Sequence, residues 1–297
     1  MKPENTLFRN LLIIADIEGS SGCWSYAGSS FLTPEWGRAC LEMTKDVAVV
    51  VRALLDAGVS RIMVKDFHRT GYNILPERID PRANVELGYR RGPVPGIGDP
   101  GNAGAVIFLG MHAASGGGGF LAHSFTSRIA KLEVNGKLMS EVEFFAASLG
   151  PYGIKPIFFS GCPLACDQAG AAIPGIVCHP IDKTPGPAEF DAPSWRAGLV
   201  KAATGSLSNK DTVPHLPAGP FKAMVSMRDG NQVAGKIARR WNFKCEGAKI
   251  FLDRGNISDL YDDLIRLCYL TPLAKKTLPA GLWLYDLLGR FGLAWVR

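Results

Sequence analysis

No run of apolar residues in this 297-residue chain approaches the ~18 needed to span a bilayer as a helix. No secretory leader is expected either: after Lys2 and Arg9 comes only the short run Leu11 to Ala15, against ~7 to 15 apolar residues in a signal-peptide core. Cysteine provides no disulfide framework, since seven residues without short regular spacings fit a reducing compartment and a cytoplasmic location. Blocks of one charge sign are also missing. The net charge is +6, but Lys and Arg are scattered, and the densest stretch, Lys236 to Lys244, is broken by Ile237, Ala238, Trp241 and Phe243. That is a solvated helix face rather than a phosphate stripe, so no nucleic-acid partner is expected. What remains, 47% hydrophobic and 20% charged, is the composition of a folded globular protein able to bury a core without staples.

Short apolar runs alternate with helical patterns through the first two thirds of the chain. This is the signature of βαβ units and of an α/β fold, a mainly parallel sheet flanked by helices. Leu11 to Ala15, Arg61 to Lys65, Ala105 to Leu109 and Pro156 to Ser160 are predicted strands. Between the first two, Thr33-Pro34-Glu35 supplies a hydroxyl cap, a pre-set φ and an acid at the positive dipole end. The helix it opens runs through Leu41, Val47, Val50, Val51 and Leu54 to a glycine cap at Gly58. Asn135-Gly136 predicts a tight hairpin within Leu132 to Leu138, with a helix following over Ser140 to Leu149. A stretch rich in Pro, Gly and Ala from Asp182 to Pro220, with one helix over Pro193 to Ala203, separates a metal-binding catalytic domain (1–185) from a smaller C-terminal α/β unit (186–297). In that unit Phe221 to Met227 and Lys249 to Asp253 are predicted strands, and Gln232 to Arg240 and Ile257 to Leu270 helices. The tail from Leu278 to Arg297 carries Trp283, Tyr285, Phe291 and Trp295, too much apolar surface to leave in water. Because Gly281, Gly289 and Gly292 weaken a long helix, the expectation is one short helix over Leu282 to Leu288 and an irregular end docked on protein, either its own second domain or the next subunit, and not on a membrane.

The chemistry lies where the predicted strands stop, which is where open α/β sheets place their sites. Asp16 and Glu18 follow the first strand two residues apart, so in extended backbone both carboxylates project to one side. Asp66 and His68 repeat that spacing after the second strand, His112 follows the third, and Glu141 opens the helix after the hairpin. Any one of these has a plain reading as a turn or cap residue. Their recurrence does not: of only five histidines, His68, His112 and His123 fall directly after predicted strands or in the glycine-rich loop behind one. Carboxylates mixed with imidazoles suit Zn²⁺, or Mn²⁺ or Co²⁺, and three carboxylates nearly balance two divalent ions. Between His112 and His123, Gly116 to Gly119 form a loop that lets a substrate backbone come close. Cys162, Cys166 and Cys178, with His179, lack the usual zinc-finger spacing and are read as packing residues.

Asp16-Ile17-Glu18-Gly19-Ser20-Ser21-Gly22 resembles the D-x-E-G-x-S-G opening of the DppA-type D-aminopeptidases, zinc peptidases that act on short peptides with D-residues at the N-terminus. Asp66-Phe67-His68 is similar to the D-x-H motif of that family, Phe108 to Ala113 to its F-L-G-x-H-A motif, and Ala122-His123-Ser124 to its x-H-S motif. Ser140-Glu141 stands where the family has a Gly-Glu pair, and order and spacing agree from Leu11 to about Gly161. The resemblance implies that Asp16 bridges two zinc ions, that Glu18 and His68 complete one site, and that His112 and Glu141 complete the other. It gives His123 the essential catalytic place, as nucleophile, base or transition-state donor. It also implies a decamer of two stacked pentamers whose internal channel admits only short peptides. The N-terminal extension, the four glycines, the aromatic tail and everything after Gly161 depart from the pattern.

The expected function is thus that of a di-zinc aminopeptidase cleaving amide bonds of short peptides, with two Zn²⁺ per chain and a homo-oligomeric state. Two other classes would use such ligands: a two-metal phosphoesterase, for which Arg69 and Arg128 are the candidate phosphate binders, and a non-catalytic metal-stabilised assembly protein.

Overall fold

The apolar runs expected as strands are strands in the computed structural model, which describes residues 7–297. Lys2 and the start of the N-terminal extension lie outside the described residues. In chain order the first half contains β1 (Asn10–Ala15), α1 (Pro34–Asp56), β2 (Arg61–Asp66), β3 (Asn84–Glu86), β4 (Ala105–Met111), β5 (Ile129–Val134), β6 (Lys137–Leu138) and α2 (Glu141–Leu149). The second contains β7 (Lys155–Gly161), α3 (Pro163–Ala172), β8 (Val177–Pro180), α4 (Ala192–Gly205), β9 (Phe221–Met227), α5 (Gly230–Trp241), β10 (Lys244–Glu246), β11 (Lys249–Arg254), α6 (Ile257–Tyr269), α7 (Pro272–Lys276) and α8 (Leu278–Val296). Strands β3, β8 and β10 have three or four residues each, too few to show a period, and form by pairing with a neighbour already in place.

Six parallel strands make the first sheet, in the order β3-β2-β1-β4-β7-β8. The chain builds outward from β1 on one side and from β4 on the other, so the order reverses between these two strands. Both faces of the sheet are covered, which is why β1 reads as continuous Leu and Ile rather than alternating. Leu11, Ile13 and Ala15 pack toward Val47, Val50, Val51 and Leu54 of α1, while Leu12 and Ile14 face Phe144 and Phe145 of α2. A second, antiparallel sheet runs β10-β11-β9-β5-β6. It takes its β5–β6 hairpin from the middle of the chain, turned at Asn135 (φ 52°) and Gly136 (φ 80°), whereas α4 packs back on α1 and the first sheet. The two sheets therefore interleave along the chain across residue 185.

Helix α1 begins and ends as its sequence predicts. The Thr33 hydroxyl accepts from Trp36 N at 3.0 Å with Pro34 in the first turn. At the other end Gly58 (φ 99°) closes the helix, donating to Leu55 O while Val59 N reaches Leu54 O, the paired bonds of a left-handed glycine stop.

The tail differs from expectation. It is one continuous helix, α8, running through Gly281, Gly289 and Gly292. The reason is packing: a Cβ at Gly289 would sit 2.2 Å from the Tyr72 ring, and one at Gly292 would sit 2.3 Å from Phe31. Missing side chains let the helix lie against α1, where Trp295 stacks on Trp36 at 5.9 Å. That contact offsets the ~1 kcal/mol helix cost of each glycine. Docking is on the first layer rather than on the second unit, and Trp283 and Phe291 remain exposed. No described helix is long and apolar enough to cross a membrane.

Candidate metal centre

Because β1 lies between β2 and β4, the loops leaving all three converge at one end of the sheet, at the reversal of strand order where such folds bind ligands. The first loop is drawn against β4 by two glycines. A Cβ at Gly19 would sit 2.2 Å from Met111 O, and one at Gly110 (φ 71°) would sit 2.2 Å from Asp16 O. In their absence Asp16 N donates to Leu109 O and Gly19 N to Gly110 O, both at 2.8 Å. Glu141 arrives from the other side at the start of α2, where Ser140 and Glu143 cap each other reciprocally. Its Oε1 accepts Phe125 N at 2.6 Å.

Asp16, Glu18, His68, His112 and Glu141 are all buried and meet there. Asp16 divides its oxygens: Oδ1 is 3.1 Å from His68 Nδ1, and Oδ2 is 3.5 Å from His112 Nε2. His68 Nδ1 is also 3.1 Å from Glu18 Oε2, and His112 Nε2 is 3.5 Å from Glu141 Oε1. The other nitrogen of each ring faces a backbone carbonyl, His68 Nε2 at Ser29 O (2.9 Å) and His112 Nδ1 at Ala113 O (3.1 Å). A carbonyl can only accept, so those nitrogens carry the protons and the inward-facing ones present lone pairs to carboxylates. Such an arrangement calls for positive charge between the groups, from protons or from metal ions, and a ring oriented from behind by a carbonyl is what metal-ligating histidines show. The Nε2 of His112 and Oε2 of Glu18 have no hydrogen-bond partner among the described residues. Separations near 3.5 Å are long for a hydrogen bond and close to the ~3.3 Å edge of a tetrahedron with bonds of ~2.0 to 2.1 Å. The donor set therefore fits zinc.

His123 joins them from the loop before β5. Its ring stacks on His112 at 3.8 Å and 14°, and its Nδ1 faces Leu121 O at 2.9 Å. A ring nitrogen of His123, a ring nitrogen of His112 and a carboxylate oxygen of Glu141 lie within 4.8 Å of one another, as do the ligand atoms of Asp16, Glu18 and His112. Electrostatics separate these groups. Burial pushes the Asp16 carboxyl up to about 7, and the Glu18 charge adds to it. Burial alone would raise Glu18 as well, but the facing His68 outweighs it and holds Glu18 well below the carboxylate range. For His68 and His112 burial favours the neutral ring, yet the carboxylates around them win and raise both. His123 goes the other way, lowered by burial and by its stacked neighbour. The cluster thus demands positive charge at its centre and leaves one imidazole neutral at its edge.

The sequence profile of the D-aminopeptidase family matches residues 10–239. The chain belongs to the D-aminopeptidase family. A D-aminopeptidase of Bacillus subtilis (strain 168) is 25% identical over 228 residues, 74% of this chain and 81% of that protein. The solved structure of the Zn-dependent D-aminopeptidase DppA from Bacillus subtilis, described as a self-compartmentalizing protease, superposes with a TM-score of 0.79 at 18% identity, covering 87% of this chain and 96% of that one. That likeness establishes the fold.

In this D-aminopeptidase-family chain not every residue of the family-like motifs enters the cluster. Asp66 turns away and accepts Asn73 Nδ2 and Ile74 N, both at 2.8 Å, so it shapes the loop that carries His68. Arg128 is engaged with Asp229 at 2.6 Å, leaving Arg69 as the one of the two phosphate candidates without an ion pair among the described residues. Cys166 and Cys178 point at carbonyls, His179 faces Trp195 O at 3.2 Å, and all seven cysteines are free. Sequence reasoning misses a clamp behind the site. Arg196 Nε reaches Asp46 Oδ1 at 2.7 Å, and Asp46 Oδ2 accepts Ser21 N at 2.8 Å, tying α4 and α1 to the loop of Asp16 and Glu18. Arg196 and Asp46 are 150 residues apart, and no local pattern signals them. The cluster opens into a cavity of about 1460 Å³ walled by Gly116, Gly118 and Gly119 on one side and by α6 to α8 on another.

Proposed function

We propose that this chain is a di-zinc aminopeptidase that removes N-terminal residues from short peptides, with preference for D-residues. The observation that carries the reading is Asp16, whose two oxygens face two different imidazoles in a pocket that calls for cations. Asp16 would bridge the ions, Glu18 and His68 holding one and His112 and Glu141 the other. When bound, zinc supplies Lewis acidity to a peptide carbonyl and to water. His123 stays neutral, keeps a lone pair on the nitrogen not bonded to Leu121 O, and serves as proton acceptor, nucleophile or transition-state donor. Burial of the cluster excludes bulk water and strengthens each of these interactions. Peptide specificity and D-preference follow from family membership and from the activities named for the relatives.

The same reading makes the protein a homo-oligomer, with a decamer of stacked pentamers as the expected form, because a relative is described as self-compartmentalizing and because Trp283, Leu287 and Phe291 need a cover. Free thiols suit a cytoplasmic setting. The test is the zinc-loaded protein assayed against paired L- and D-dipeptides and aryl phosphates. Release of an N-terminal D-residue is expected; turnover of phosphate esters without any peptide cleavage would overturn the assignment.

A further inference from the structure

The cavity extends beyond the metal-type cluster to a wall made by Arg69, Tyr89 and Tyr285. Arg69 directly follows His68 and adopts φ 47°, the left-handed region that a residue with a Cβ avoids and that strained functional positions retain. Its guanidinium makes no hydrogen bond or ion pair among the described residues. Among the other cations of the cavity, Arg90 is paired with Asp286 at 3.7 Å and Arg266 with Asp263 at 2.9 Å, and Arg91, Arg228 and Lys275 do not adjoin a metal-type residue in the chain. Beside Arg69 stands an aromatic surface. Tyr285 of α8 stacks on Tyr89 at 6.3 Å, and Tyr89 meets Phe67 edge-on at 5.3 Å and donates its hydroxyl to Phe67 O at 3.0 Å. Tyr285 lies in the segment after residue 239, where the family match ends, whereas Arg69 and Tyr89 lie within it.

An unpaired cation one residue from a candidate ligand, next to an apolar face, fits the end of a small peptide. In a dipeptide the carboxylate lies one residue past the scissile carbonyl and in a tripeptide two, at about 3.8 Å per residue, within the reach of a guanidinium that starts at the residue after His68. We infer that Arg69, Tyr89 and Tyr285 form the subsite for the carboxyl-terminal residue of a di- or tripeptide, the guanidinium taking its free α-carboxylate and the rings its side chain. The inference rests on the aminopeptidase reading and adds a selection for short peptides with a free C-terminus. Arg serves here better than Lys because its planar fork matches a carboxylate.

The experiment compares one D,L-dipeptide as free acid and as carboxamide on the zinc-loaded wild type, Arg69→Met and Arg69→Gly. The wild type should favour the acid, and both variants should raise KM for the acid by about 10- to 100-fold, the scale of a lost charged hydrogen bond, with little change for the amide. Arg69→Gly relieves the left-handed backbone, so its melting temperature should not fall and the loss cannot be laid to misfolding. Equal loss on acid and amide, or no preference in the wild type, overturns the subsite. Calorimetric binding of a non-hydrolysable dipeptide acid and its amide keeps the two readings apart: absence of cleavage defeats the assigned function, whereas equal affinity for the two ligands defeats the subsite.

Discussion

Asp16 is central to the cluster, since among the described residues its two oxygens lie 3.1 Å from His68 and 3.5 Å from His112. Asp16→Ala should therefore lose metal at both positions, read by elemental analysis of the purified protein, and retention of about two ions per chain would remove it as the bridge. His123 shares a ligand-like grouping with His112 and Glu141, and the two roles open to it are separable. A catalytic His123 predicts that His123→Ala keeps metal while turnover falls by roughly 10² or more; loss of metal would make it a ligand. Lys183 gives a pH-dependent test outside the cluster. Its ammonium is held by Ser20 O and by Cys23 O at 2.8 Å, 4.3 Å from the Trp24 ring, and burial lowers it to about 8. A lysine lowered on folding binds its proton less well folded than unfolded, so stability rises with pH above about 8, up to the ordinary lysine range. The adjacent Cys23 thiol, pushed up to about 12, stays neutral in that window. Denaturation at pH 8 and pH 10 should show the wild type gaining stability relative to Lys183→Met, and a constant difference would remove the linkage.

Among the secondary elements, α1 and α8 show two ways in which a helix is specified. Helix α1 is written in its own residues: Thr33 and Pro34 start it, Gly58 stops it, and Val47, Val50, Val51 and Leu54 mark the buried face. Helix α8 is not, because its glycines count against it until Tyr72, Phe31 and Trp36 are in place to receive it. It also contributes Leu278, Leu282 and Tyr285 to the cavity wall and is anchored at its end by Arg297 on Glu77 at 2.9 Å. Truncation after Thr277 is expected to lower the melting temperature and weaken peptide binding while leaving metal content unchanged. Loss of metal in the truncated protein would mean that α8 supports the cluster itself and not only its cavity.

At the scale of the whole molecule, the cluster joins four segments: the ends of β1, β2 and β4, which strand pairing sets side by side, and the start of α2. In metal-free protein three carboxylates, Asp16, Glu18 and Glu141, face the His68 and His112 imidazoles across a buried space, with only protons to reconcile them. A chelator should therefore lower the melting temperature, and added zinc should restore it in proportion to the logarithm of free metal. An unchanged thermal transition after complete removal of metal would show that the segments are held by packing alone.

Local chemistry in the sequence determined the parallel sheet, the α1 crossover, the Asn135-Gly136 hairpin and the positions of the metal-type residues. Each of these is carried by a few neighbouring residues: an apolar run, a cap, a turn pair, a carboxylate or imidazole just after a strand. Tertiary structure alone decided that the β5–β6 hairpin joins β9 in a second sheet, that α8 is continuous, and that Asp66 braces a loop while Asp16 enters the cluster. It also supplied the Arg196–Asp46 clamp and the Ser29 carbonyl that orients His68. These depend on contacts between residues far apart in the chain, or on backbone atoms that every residue has. Periodicity and propensity describe only what a segment does with its own neighbours.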